Sequence, residues 1–289
     1  MNLLITGAWH DAESSFPLLR KAGHTVCLLK QETDPLPCSP TWVEGVVCNG
    51  LFLHHPIESF PNLRFIQLTS AGFDRVPMEY VRGKAIEIKN AQGVYSVPMA
   101  EYALAGILAH YKSFVSFQHQ QEKHLWQKNR GLLELYGKKA VIIGCGHTGT
   151  ACAERLHAFG VSIIGVNRTV RTIPGFDRIV GLEDLDQQLV SADIVIVSIA
   201  LTDETRSMVK ASLLKPEAVL VNISRGPVVD LRDMVCGAVL DVFEPEPLDA
   251  DSSLWDRDRT IITPHISFIG DGNASRLRDL ILKNLGVLS

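Results

Sequence analysis

The sequence predicts an α/β protein built from two doubly wound parallel sheets, and three observations carry that reading. The chain has 289 residues, and at roughly 100–200 residues per domain that is room for two domains with a cleft. Short aliphatic or β-branched runs alternate with amphipathic segments along its whole length, the pattern of parallel strands joined by helical crossovers. A hydrophobic run at Val141-Ile142-Ile143 leads directly into Gly144-Cys145-Gly146-His147-Thr148-Gly149 and then into a helical pattern, which is how a phosphate-cradling turn is built at the end of a strand.

The first series of strands is expected at residues 2–6, 25–29, 43–48, 65–68 and 86–89. Each run is short, rich in Val, Ile, Leu or Phe, and bounded by turn-forming residues. A long helical pattern begins near Pro98, which suits a first-turn position, with Glu101 early and Lys112 late to match the helix dipole. The second series is expected at 139–143, 161–166, 194–198, 219–222, 238–241 and 260–262. In the final segment Leu277, Leu280, Ile281 and Leu285 share one helical face; a single helix cannot bury that stripe alone, so the segment is expected to return to the first domain. The division this predicts is 1–96 with 268–289 in one domain and 97–267 in the other.

Composition narrows the function classes. Apolar residues make up 46% and charged residues 21% of the chain, with 28 basic against 32 acidic side chains and a net charge of −4. No Lys/Arg-rich run could neutralise a row of phosphates, so nucleic acid is not expected as a partner. The apolar stretch at 194–201 is less than half of the ~20 residues that span a bilayer, and no membrane association is expected. The amino terminus passes from Met1 into an apolar strand pattern without a basic leader, which points to the cytoplasm. Cys27, Cys38, Cys48, Cys145, Cys152 and Cys236 show no metal-ligand spacing and no paired arrangement; they read as reduced thiols, and no metal is expected.

In the glycine turn each glycine has a distinct role. Gly144 permits the tight turn, Gly146 lets the backbone approach a pyrophosphate, and Gly149 lets helix and strand pack closely. His147 and Thr148 lie inside the same loop, as spacers or phosphate contacts at a helix terminus whose amides favour anions. Together with the flanking strand and helix they make this the dinucleotide-binding, Rossmann-type domain. About 20 residues on, an NAD-binding unit carries an acid for the adenosine ribose. Here that place holds Asn167, followed by Arg168 and Thr169. A neutral amide with a guanidinium and a hydroxyl beside it suits a 2′-phosphate, which an acid would repel. The expected cofactor is therefore NADP(H), with NAD(H) left open.

Three further segments follow strands of the second series: Asn222-Ile223-Ser224-Arg225-Gly226, then Asp241-Val242-Phe243-Glu244-Pro245-Glu246-Pro247, then Thr263-Pro264-His265. Side chains at the carboxyl ends of parallel strands converge on the ligand crevice of such folds. With Ser70-Ala71-Gly72-Phe73-Asp74 and the run from Asn90 to Glu101, these ordered motifs resemble the D-isomer-specific 2-hydroxyacid dehydrogenases over nearly the whole chain. The resemblance implies a flavodoxin-like substrate domain beside the Rossmann domain and hydride transfer between NAD(P)H and a small 2-keto or 2-hydroxy acid. It implies that Arg225 grips the substrate carboxylate and polarises its carbonyl, and that His265 is the acid, paired with Glu246. A carboxylate at that position favours the protonated ring. It also implies that backbone amides near Ala71 and Gly72 hold the substrate carboxylate, places Asp241 with the cofactor-binding residues, and suggests a homodimer, for which 104–117 offers more apolar surface than one inter-domain helix needs.

Two departures from the family pattern stand out. Only Leu231-Arg232-Asp233-Met234-Val235-Cys236 separates Asp230 from Gly237, where the family places a helix about eight residues longer, and 205–216 is about three residues short. Parallel strands need a crossover of about a dozen residues, so this one is expected to be trimmed to a turn unless residues are missing from it. The competing functional reading is a dinucleotide-sensing binding protein without turnover; the intact Arg225, Glu246 and His265 weigh against it.

Overall fold

In the computed structural model, which describes residues 1–288, the chain divides into two compact units: Met1–Tyr95 with the segment from Gly270, and Ser96–Ile269. The first unit holds a five-stranded sheet of β1 (Asn2–Thr6), β2 (Thr25–Leu29), β3 (Gly45–Cys48), β4 (Phe65–Leu68) and β5 (Glu87–Lys89). All pairings are parallel, in the order β2-β1-β3-β4-β5, the flavodoxin-like order with its switch point between β1 and β3. Helices α1 (Phe16–Lys21) and α2 (Met78–Gly83) belong to this unit. The returning helix α7 (Asn273–Asn284) buries Leu277, Ile281 and Leu282 in a cluster with Leu3, Ile5 and Leu19, so the apolar stripe at the chain end does find its partner here. Asn284 Nδ2 donates to Gln67 Oε1 at 2.7 Å, and His24 Nε2 lies 3.2 Å from the Leu285 carbonyl.

The second unit holds β6 (Lys139–Ile143), β7 (Ser162–Val166), β8 (Arg178–Val180), β9 (Ile194–Val197), β11 (Val219–Asn222), β13 (Gly237–Leu240) and β14 (Thr260–Ile262), in the order β14-β13-β11-β9-β6-β7-β8. Every pairing is parallel. A two-stranded sheet of β10 (Val209–Lys210) and β12 (Val229–Asp230) lies apart from it. Every residue of β9, β11 and β13 is buried, as expected where both faces of a parallel sheet are covered. One face packs on α3 (Ser96–Tyr111) and α5 (His147–His157), joining Ala103, Ile107 and Leu156 to Ile142, Ile196 and Val221. The other packs α6 (Leu185–Ser191) and the small sheet onto Val141, Val195 and Leu220. Full burial of an Ile, Leu or Val side chain contributes on the order of 1.5–3 kcal/mol, so these layers fix the strand ends that carry the site.

Helix α3 starts at Ser96, with Pro98 in its first turn, and stops at Tyr111; Ser113 adopts a left-handed φ of 54° before α4 (Phe114–Glu122) begins. The apolar run at 104–117 is thus two helices, and Phe114 and Val115 on the second are exposed. The β11 to β13 crossover contains no α-helix: a short turn at Gly226–Val228, strand β12 and a bend replace it. Arg257 braces this trimmed connection, donating from Nη2 to the carbonyls of Met234 and Cys236. No helix among the described residues is long and apolar enough to cross a membrane.

Candidate active site and cofactor loop

The strand order of the second sheet reverses between β6 and β9, which places a crevice beyond the carboxyl ends of these strands. The glycine turn leaves β6 there, and its backbone explains each glycine. Gly144 has φ +93°, and a Cβ on it would lie 2.4 Å from Ile199. A Cβ on Gly149 would lie 1.9 Å from the Gly144 carbonyl oxygen, so helix α5 can approach the strand only without one. Above Gly146 there is open space, with nothing within 4 Å of where a Cβ would stand. That opening sits at the start of α5, where the first amides of a helix lack intrahelical acceptors, and it fits a pyrophosphate. Ser198, at the end of β9, ties the loop down by donating from Oγ to the carbonyls of Gly144 at 2.9 Å and Ile143 at 3.1 Å. Burial pushes the Cys145 thiol up to about 11, so this cysteine is a packing residue and not a nucleophile at neutral pH.

Asn167 follows β7. Its side-chain amide donates to the Thr169 carbonyl at 3.0 Å, and its backbone N–H donates to the Val180 carbonyl at 3.1 Å, so the residue shapes the loop after β7 from within. Arg168 is exposed and paired through Nη2 with Glu204 Oε2 at 2.9 Å. Glu204 lies 36 positions away in the sequence, and no local spacing links it to the loop.

The segments after β11, β13 and β14 supply the remaining candidates. Asn222 organises the first: its Oδ1 accepts from the Ser224 N–H and hydroxyl at 3.1 and 3.0 Å, and its Nδ2 donates to the Arg225 carbonyl at 3.0 Å. The Arg225 guanidinium donates from Nη1 to the Ser224 carbonyl at 2.7 Å. Glu246 reaches His265, with Oε2 2.8 Å from Nδ1, while its Oε1 accepts from the Phe243 N–H at 2.9 Å. The imidazole is therefore oriented through Nδ1, and the Phe268 ring stands edge-on to it with centroids 5.9 Å apart. Asp241 is fully buried. Its Oδ1 accepts from Thr263 Oγ1 at 2.6 Å and Ile266 N–H at 2.9 Å, and its Oδ2 accepts from Ser267 N–H at 2.8 Å. Tyr102 of α3 also bonds Thr263, a contact across 161 positions that no sequence spacing suggests.

Ala71 and Gly72 lie in the first unit, in the loop after β4, where Asn90 Nδ2 donates to the Ala71 carbonyl at 2.6 Å and Ser70 Oγ to that of Gly72 at 3.2 Å. In the second unit, Glu246 and His265 come into direct contact, and the Asn222-held turn presents Arg225.

Comparison with known proteins agrees with this architecture. Residues 104–267 match the family model described as D-isomer specific 2-hydroxyacid dehydrogenase, NAD binding domain. A glyoxylate reductase of Pyrococcus furiosus is 31% identical over 79% of this chain and 73% of its own length. A D-isomer specific 2-hydroxyacid dehydrogenase of Xanthobacter autotrophicus, solved with NADPH and MES, aligns with a TM-score of 0.79 at 26% identity over 99% of this chain and 93% of its own. An NADPH-dependent glyoxylate/hydroxypyruvate reductase of Sinorhizobium meliloti, solved with citrate, aligns with a TM-score of 0.78 at 25% identity over the same shares. The chain belongs to the D-isomer-specific 2-hydroxyacid dehydrogenase family and is an NAD(P)-dependent oxidoreductase of 2-hydroxy and 2-keto acids.

Proposed function

We propose that the chain reduces small 2-keto acids to D-2-hydroxy acids, using NADPH in preference to NADH. The observation that carries this reading is the Glu246–His265 pair at 2.8 Å, delivered from the ends of neighbouring strands together with Arg225. When bound, the dihydronicotinamide supplies the hydride. Arg225 holds the substrate carboxylate and draws electron density toward the carbonyl oxygen, a charge-assisted contact suited to a guanidinium fork. His265 gives the proton from Nε2 to the developing alkoxide, and Glu246 holds the ring at Nδ1 so that Nε2 faces the substrate. The loop from Gly144 to Gly149 holds the pyrophosphate. Asp241, counted on sequence with the cofactor-binding residues, is buried with both carboxylate oxygens occupied and fixes the turn that carries His265.

A homodimer in the cytoplasm completes the proposal. Exposed Phe114 and Trp126 support the first part, and six unpaired cysteines suit a reducing compartment. The test is a panel of 2-keto acids of two to four carbons, assayed with NADPH and NADH on wild type and His265→Ala. Wild type should turn over at least one acid, and the variant should lose about 10²–10⁴-fold in turnover. No reduction of any acid with either cofactor, or undiminished turnover in the variant, would overturn the assignment.

A further inference from the structure

The acid missing from the end of β7 is present on the other side of the ribose loop. Glu204 lies in the segment after β9, and its Oε2 is 2.9 Å from the Arg168 guanidinium, with both side chains largely exposed. The segment's own hydroxyls fix its backbone: Thr205 Oγ1 accepts from Thr202 N–H at 2.7 Å and donates to the Ala200 carbonyl at 2.8 Å. Farther along, Arg206 Nη1 bonds Glu244 Oε2 at 2.8 Å. On the facing loop, Asn167 pins Thr169. Strands β7 and β9 both pair with β6, so the two loops rise from the same sheet end on either side of the glycine turn. The carboxylate is thus held against the cation by two ordered loops.

We propose that Glu204 is a specificity-determining residue for the cofactor, a carboxylate supplied from β9 that competes with a 2′-phosphate for Arg168 and serves a 2′-hydroxyl in its absence. The inference rests on the reading that Arg168 meets the 2′-phosphate. NADPH must take the guanidinium from Glu204 and then tolerates a carboxylate close to a dianion. NADH brings a hydroxyl that can donate to Glu204 while the ion pair stays intact. An exposed pair is weak, so the phosphate can displace it, and the expected result is a chain that prefers NADPH while still accepting NADH.

The experiment measures dissociation constants of NADPH and NADH by nicotinamide fluorescence in wild type, Glu204→Gln, Arg168→Ala and the double variant, with thermal melts to show that each folds. Glu204→Gln should tighten NADPH about three- to fivefold and weaken NADH about twofold or more, and the NADPH gain should shrink in the Arg168→Ala background to what relief of carboxylate–phosphate repulsion alone supplies. If Arg168→Ala lowers the preference for NADPH but Glu204→Gln changes neither constant, Glu204 is not a determinant although the 2′-phosphate reading stands. If Arg168→Ala leaves the ratio of the two constants unchanged, that reading falls and this inference with it. A gain that persists undiminished in the double variant would overturn competition for the guanidinium.

Discussion

The backbone N–H of His265 donates to the Asp241 carbonyl at 2.8 Å, while the carboxylate of the same aspartate accepts the next two backbone N–H groups, Ile266 at 2.9 Å and Ser267 at 2.8 Å. His265 itself adopts a left-handed φ of 53°. A non-glycine residue persists there only when its surroundings over-determine it, and Asp241 does so from both its backbone and its side chain. The first prediction follows. Asp241→Asn keeps the shape but turns an amide toward donors, and each donor left facing a donor costs about 1–3 kcal/mol. Melting should fall by several degrees, at about 2–4 °C per kcal/mol for a domain of this size, and turnover by at least tenfold. Wild-type melting together with wild-type turnover would refute the role of this network.

Two glycines of the same turn should respond in opposite ways. At Gly149 an added methyl meets the Gly144 carbonyl oxygen at 1.9 Å, whereas at Gly146 it meets nothing within 4 Å. Gly149→Ala should therefore lower the melting temperature of the protein without cofactor. Gly146→Ala should melt like wild type yet bind NADPH and NADH at least tenfold more weakly, because the methyl enters the space proposed for the pyrophosphate. Unchanged affinity in Gly146→Ala would remove the phosphate from that place.

Periodicity made the parallel strands legible because both faces of each sheet are covered and the runs are continuous, as in Val141 to Ile143. Strands β8, β10 and β12 were not legible: β10 and β12 have only two residues each, too few to show a pattern, and depend on each other, while β8 opens on the exposed Arg178 and leaves only Ile179 and Val180 as an apolar run. Strand edges moved by one or two residues; Val43, for instance, belongs to the turn that follows Pro40–Trp42 and not to β3. Arg225, Glu246 and His265 were visible as types at strand ends, but the contacts that hold them were not. Tyr102 to Thr263 and Glu204 to Arg168 depend on which elements the sheet order brings together, whereas Asn222 to the Arg225 carbonyl is a bond within one turn that residue types alone do not reveal.

The pH dependence of stability has a specific source in His110. Burial, aided by the neighbouring Arg259 cation, lowers its titration to about 4 from 6.5, and Arg259 Nη2 lies 3.2 Å from His110 Nε2, a contact that needs a neutral ring. Between about pH 6.5 and 4 the unfolded chain binds a proton here that the native protein does not. Stability from this group is thus complete above 6.5 and is lost as the pH falls toward 4. His110→Gln keeps an acceptor without titrating. Melting curves from about pH 7 to 4 should fall less steeply in the variant; parallel curves would assign the acid sensitivity elsewhere.

The proposed dimer gives the last prediction. Between α4 and β6 the chain exposes Leu125, Trp126 and Tyr136, with Phe114 exposed at the start of α4, and Trp126 is 98% exposed. Aromatic rings of this size bury about 150–250 Å² each, and Trp and Tyr are the side chains most often found to dominate interfaces, at about 2 kcal/mol or more apiece. In a two-fold dimer each substitution acts twice. Trp126→Asp should therefore cost about 4 kcal/mol of association, close to a thousandfold in the dissociation constant at ~1.4 kcal/mol per factor of ten. Light scattering should give twice the 31.8 kDa chain mass for wild type at micromolar concentration and the single chain mass for the variant. Because Trp126 makes so little contact within its own chain, the variant's far-ultraviolet circular dichroism should match wild type. A wild-type protein that scatters as a single chain would refute the dimer, and a variant that remains dimeric would move the interface away from this segment.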